Sequence, residues 1–276
     1  MTRLLRAAVL LIALAMPVLP AAADDAITLA GVLSQGGLAR GEAPPGTRLV
    51  LDDRPVRVAP DGRFILGFGR DAPVTMSLAA TFPNGRTTTE KITLERRDYQ
   101  IQRINGLPPQ MVTPDPALMA RIKAELAKVH GVRTIDSDQL AFETPLAWPV
   151  TGPISGVYGS QRILNGEPRA SHLGVDIAAP AGTPIKADAA GTVTLAEHDL
   201  YFTGGTVIID HGYGLSTIYQ HMSRLDVTVG QHVEQGDLVG AVGATGRVTG
   251  PHLHWGMNWY DVAIDPQLIA GPMPKE

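Results

Sequence analysis

The chain has 276 residues, 44% of them hydrophobic and 18% charged, with a mean hydropathy of +0.05 and a formal net charge of −4. These averages exclude both a disordered and a membrane-embedded chain, and the length suits two modest domains. Thirty Gly and 22 Pro against five Phe, six Tyr and three Trp argue against a helical bundle and for short strands joined by tight turns. The absence of cysteine removes disulfide scaffolds, Cys-ligated zinc, thiol nucleophiles and an N-terminal lipid anchor on Cys, so any metal must be held by His and carboxylate.

Residues 1–23 read as a signal peptide: Arg3 and Arg6 precede an apolar run from Ala7 to Leu19, and Ala21-Ala22-Ala23 meets Asp24. The run falls short of the ~20 residues that a spanning helix needs, so no membrane span is expected after cleavage, and the expected location is periplasmic or secreted. Processing leaves 21 basic and 27 acidic residues, a charge of −6 that argues against a nucleic-acid partner.

Residues 24–107 alternate strand-like runs, among them Ile27-Thr28-Leu29, Arg48–Leu51, Val56–Val58 and Phe64–Phe68, with turns at Pro44-Pro45-Gly46, Pro60-Asp61-Gly62 and Pro83-Asn84-Gly85. Pro presets φ and Gly or Asn accepts positive φ, so the spacing predicts a small β-sandwich-like module. It contains no His, and a binding or scaffolding role is expected of it. Residues 108–141 form a connector with one predicted helix, capped by Asp115, opened by Pro116, striped by Leu118, Met119, Ile122, Leu126 and Val129, and stopped at Gly131. His130 at its end is expected to meet the terminal carbonyls.

From residue 142 to 276 Gly and β-branched residues dominate and no helix is predicted; from Leu146 onward there are 6 basic and 12 acidic residues. Seven of the eight histidines lie here, so chemistry is expected here. Ser171–Ile177 reads as a strand that puts His172 and Asp176 on one face, with Gly174 clearing space between them. Pro251–Gly256 reads as a strand with His252 and His254 on one face, roughly 7 Å apart along the chain at ~3.4 Å per residue, too far for both to bond one metal. Thr217–Met222 is an apolar strand carrying His221. A catalytic zinc needs three N or O ligands, an open position and a base nearby. His172, Asp176 and one of His252 and His254 can supply the ligands, and with no H-E-x-x-H present the base must be a histidine. Neither a G-x-S-x-G elbow nor a P-loop is present. His211 reads as structural, and His198 and His232 as solvated. The Gly230–Gly240 hairpin is similar to those of biotinyl and lipoyl carriers, but Lys186 is followed by no lysine before Lys275, so no modifiable lysine sits on it.

Taken in order, His172-Leu173-Gly174-Val175-Asp176, Tyr219-Gln220-His221-Met222 and His252-Leu253-His254 resemble the M23 zinc metallopeptidases of the LytM or lysostaphin type. The likeness spans about Pro149 to Pro266 and extends to Tyr158-Gly159-Ser160, Asp210-His211-Gly212 and Gly243–Gly246, with Met222, Trp255 and Tyr158 as mild departures. It implies a C-terminal domain of antiparallel β structure in which His172, Asp176 and His254 hold Zn2+ and His221 and His252 form the catalytic pair. It also implies that the substrate is the peptide part of peptidoglycan, cut by endopeptidase action. The alternative is a non-hydrolytic LytM-type regulator that activates a cell-wall amidase; retention of all five residues favours the enzyme. A cell-wall hydrolase or divisome component is the protein partner such a chain would meet through residues 24–107.

Overall fold

The computed structural model describes residues 26–105 and 116–274. The signal-peptide segment and the Asp115 cap lie outside the described residues. Two antiparallel sheets form the N-terminal part. One joins β1 (Thr28–Gly31), β2 (Leu38–Glu42) and β5 (Arg63–Gly67). The other runs in the order β4 (Arg54–Val56), β3 (Arg48–Leu51), β6 (Thr75–Thr81), β7 (Thr87–Thr93). Alternate residues of both, including Leu38, Leu49, Leu51, Phe64, Leu66, Leu78 and Ile92, are buried in one apolar core. Gly62 shows why the turn chemistry matters: at φ +98°, any side chain would also run into the Ala43 carbonyl.

The C-terminal part is built on one large antiparallel sheet. Its strand order is β18 (His232–Val233), β14 (Gly191–Leu200), β15 (Gly204–Gly212), β16 (Leu215–Met222), β20 (His252–Trp259), β12 (Val175–Ala178) and β9 (Ile154–Gly156), with β21 (Val262–Ile264) paired to β20. A second sheet orders β13 (Pro184–Lys186), β19 (Leu238–Ala241) and β17 (Arg224–Leu225). The molecule is thus mostly β, as expected. A third small sheet crosses between the two parts: β8 (Ile101–Ile104) runs parallel to β10 (Gln161–Leu164), which pairs with β11 (Glu167–Pro168).

Several local expectations need correction. The connector helix α1 spans Met119–Arg133 after a 3₁₀ turn at Pro116–Leu118, passing through Gly131 without stopping. One glycine costs a helix only ~1 kcal/mol, and packing outweighs it here. The helix end is met by Thr134, whose backbone N–H donates to Val132 O and whose hydroxyl donates to Gly131 O, rather than by His130. Leu126 is 57% exposed, so the buried stripe is Ile122, Val129 and Val132 instead. The C-terminal part does hold a helix, α2 (Pro266–Ala270), capped by the Asp265 carboxylate accepting from Gln267 N–H. The predicted strand at Ser171–Ile177 begins only at Val175, leaving His172 in the preceding loop. His211, read as structural, is buried within β15.

The registers define which residues share a face of the large sheet. Leu195, Ile208, Ile218 and Gly256 face one another across four strands. Gln220, His254 and Asp176 form the parallel row two residues along, on the same face. Helix α1 packs Val129 and Val132 on Leu195, Leu200, Ile208 and Ile218. It therefore lies on the face that carries His254, pinned at its edges by Arg121 with Asp199 and Lys128 with Glu197, while Glu125 accepts from Tyr201 N–H. The opposite face carries Tyr219 and Trp255, and Trp255 packs on Trp148.

The N-terminal module is joined to this scaffold by more than the chain. Arg97 pairs with the buried Asp265 at 2.9 Å, Arg54 pairs with Asp261 and lies over Trp259, and Tyr99 meets Tyr158 edge to face. The buried apolar residues of both parts form one continuous cluster.

Candidate metal centre

Three of the predicted residues converge on one point. His172 Nε2 lies 3.0 Å from Asp176 Oδ1 and 3.0 Å from His254 Nδ1, and His254 Nδ1 lies 2.9 Å from Asp176 Oδ1. Asp176 and His254 are adjacent in register on β12 and β20, whereas the loop before β12 swings the His172 ring over them. Two glycines make the approach possible. A Cβ on Gly174 would come within 2.5 Å of His254 Nε2, and one on Gly156 would strike the Asp176 carboxylate. Gly174 was legible as a space-maker; Gly156, cross-strand from Asp176, carries no local signal.

The donor set fits a metal on chemical grounds. His172 Nδ1 donates to Val157 O at 3.1 Å, so the neutral ring presents a bare Nε2 to the cluster. That lone pair, a carboxylate oxygen and His254 Nδ1 then face each other within 4.8 Å, an arrangement that a shared cation would stabilise. Two imidazole nitrogens and one carboxylate oxygen are the ligand types of a catalytic zinc site with an open fourth position. Without a metal, burial would raise the Asp176 pKa, but hydrogen bonds donated by His172 and His254, in the tautomers that carry a proton on the facing nitrogen, outweigh it and hold the carboxyl well below the usual range. Burial lowers the pKa of His254, keeping it neutral and able to ligate.

His221 and His252 stand beside this cluster, with ring centroids 4.8 Å apart; His221 is 6.2 Å from His254 and His252 Nε2 is 3.7 Å from Asp176 Oδ1. Each anchors its Nδ1 on a backbone carbonyl, Thr245 O for His221 and Gly250 O for His252, both at 2.9 Å. In the tautomer that these bonds select, each ring presents an unprotonated Nε2, that of His252 toward the Asp176 carboxylate. By strict alternation His221 would follow Tyr219 to the opposite face. Its backbone is instead left-handed, at φ +64°, which brings the ring to the metal side. Burial lowers its pKa to about 4.

Behind the sheet lies a network that sequence reading missed. The fully buried Asp188 carboxylate accepts from Tyr219 OH at 2.6 Å, Thr217 Oγ1 at 3.0 Å and Trp255 Nε1 at 2.7 Å. His211, also fully buried, meets Thr217 Oγ1 and Ala190 O. The network ties the residues next to Gln220 and His254 to one another. The trace it leaves in the sequence is a single charge within Ala187–Gly191. His198 and His232 are exposed, as expected.

An antiparallel β scaffold with a two-histidine, one-carboxylate cluster and two flanking histidines defines the class, a metal-site β protein of the peptidase type. The family model for Peptidase family M23 matches residues 170–266. A crystal structure from Pseudomonas aeruginosa assigned to peptidase M23 is 32% identical, covers 88% of this chain and 96% of that one, and superposes with a TM-score of 0.67. The chain belongs to peptidase family M23. Among curated relatives, the peptidoglycan DD-endopeptidase ShyC of Vibrio cholerae is 40% identical over 105 residues, 38% of this chain and 24% of ShyC. The cell division protein DipM of Caulobacter vibrioides is 32% identical over 164 residues, 57% of this chain and 26% of DipM. The chain thus spans about a quarter of the length of the curated relatives it matches.

Proposed function

We propose that the protein is a zinc-dependent endopeptidase that cleaves peptide cross-links of peptidoglycan outside the cytoplasm. The observation that carries this reading is the cluster of His172, Asp176 and His254, with donor atoms 2.9–3.0 Å apart and two further histidines facing it. The peptidoglycan assignment rests on the likeness to ShyC. His172, Asp176 and His254 hold the metal, which when bound supplies Lewis acidity toward the scissile carbonyl and its attacking water. His221 and His252 then do the proton work. Each has its Nδ1 proton committed to a backbone carbonyl, so each takes or returns a proton at Nε2. One accepts the proton of the water at Nε2 and returns it to the leaving amine, while the other, when it carries a proton at Nε2, stabilises the developing oxyanion.

The test is a digest of purified peptidoglycan with the chain lacking residues 1–23, followed by separation of the muropeptides. Cleavage of cross-linked dimers that a chelator stops and added zinc restores is the expected result. A protein that releases nothing itself, yet makes an amidase release stem peptides with or without chelator, is the regulator instead.

A further inference from the structure

Gln220 sits in the same row as the metal site. It faces His254 directly across β16 and β20 on the face that carries Asp176, one residue before His221 and two after Ile218. It is only 9% exposed, and among the described residues no hydrogen-bond partner meets its carboxamide. Its amide nitrogen and oxygen are not shut off from solvent, unlike the buried unpaired Tyr99 OH or Arg133 Nε, so beside the reaction centre the carboxamide is open to a partner from outside the protein. Its surroundings do not supply one: Ile218 is apolar, and His221 and His254 have their Nδ1 atoms engaged elsewhere.

A carboxamide carries an N–H donor and a C=O acceptor side by side, the complement of a backbone peptide group. Resting on the endopeptidase reading above, we infer that Gln220 is a substrate-positioning residue: its carboxamide hydrogen-bonds the backbone amide of the peptide next to the scissile bond and lays that strand along β16. Its placement one residue from His221 and opposite His254 sets the distance between the held peptide group and the reacting one. The bond is made to a group that does not react, so it strengthens the bound substrate and the transition state alike and acts on KM more than on kcat.

Gln220→Met keeps the length and bulk of the side chain and removes both hydrogen-bonding groups, so folding and zinc content are expected to be retained. With a purified cross-linked muropeptide dimer, the variant is expected to show a KM raised about tenfold at nearly unchanged kcat. Calorimetric titration of the zinc-free proteins with the same dimer gives a readout free of turnover, and binding is expected to weaken by the same factor. KM and affinity both within twofold of the unsubstituted protein overturn the inference. An unsubstituted protein that binds the dimer but does not cut it overturns the hydrolase reading alone, and the Gln220→Met affinity still decides the inference. A protein that neither binds nor cuts overturns both.

Discussion

The proposed mechanism divides the centre into holding groups, His172, Asp176 and His254, and proton-moving groups, His221 and His252, and the two sets are experimentally separable. His172→Ala or Asp176→Ala removes one of three donors at the cluster. Bound zinc and cleavage are expected to vanish together, as read by metal analysis and muropeptide digestion. His221→Ala leaves the three donors intact and is expected to keep stoichiometric zinc while losing about 10²- to 10⁴-fold in turnover. Full turnover in a zinc-free protein would remove the assignment. The same residue sets a pH dependence. The folded state holds His221 at about 4, below the ~6.5 of an exposed imidazole, so between these values the unfolded chain binds more protons. Stability of the metal-free protein is therefore full above about pH 6.5 and declines as the pH falls toward 4, and His254, shifted the same way, adds to the trend. Thermal unfolding across that range measures it; a flat midpoint contradicts the shift. The types of residue at this centre were legible because they recur at short spacings in punctuated apolar strands. The left-handed turn of His221 was not: that conformation is imposed by Thr203 O and Thr245 O, which accept from its backbone N–H and its ring.

At the scale of elements, α1 is legible as one amphipathic helix with Ile122 and Val129 on its inner face, but Leu126 does not belong to that face and Val132, beyond the predicted stop, does. Periodicity marks which residues can share a face, and tertiary packing decides which of them meets the sheet. Ile122 is buried and Leu126 is not, so the two make a contrasting pair. Ile122→Ala is expected to cost about 2–5 kcal/mol and Leu126→Glu less than about 0.5 kcal/mol, measured by denaturant unfolding. Equal costs would mean that the helix does not dock through the Val129 and Val132 side. The strand before Asp176 was started four residues too early for a related reason. Val and Ile favour β structure, yet in Ser171–Gly174 the His172 backbone bonds to Gly159 and Ser160 rather than to β20, and the segment serves as the loop that carries His172. The Asp188 network escaped notice because its members lie up to 67 residues apart and none looks unusual alone.

At the scale of the molecule, composition and turn spacing mark a β module before the connector, and they say nothing of how it sits. The contacts that seat it join residues 168 and 207 apart in sequence, Arg97 with Asp265 and Arg54 with Asp261, and such pairs leave no local pattern. One apolar cluster runs through both parts, so they are expected to unfold together. Calorimetry of the chain lacking residues 1–23 is expected to give a single transition whose van't Hoff and calorimetric enthalpies agree. Two resolved transitions would show that the shared cluster does not couple them.

The row Gly156–Asp176–His254–Gln220, one residue from each of four neighbouring strands, has a consequence for how this chain can change over time. A strand presents alternate residues to alternate faces, so gaining or losing a single residue within β20 would turn both histidines into the core and push Trp255 out. Loops around the centre that carry neither His172 nor the Thr245 and Gly250 carbonyls are under no such constraint and can change in length. Between Val175 and Ala178 and between His252 and Trp259, change is confined to substitution.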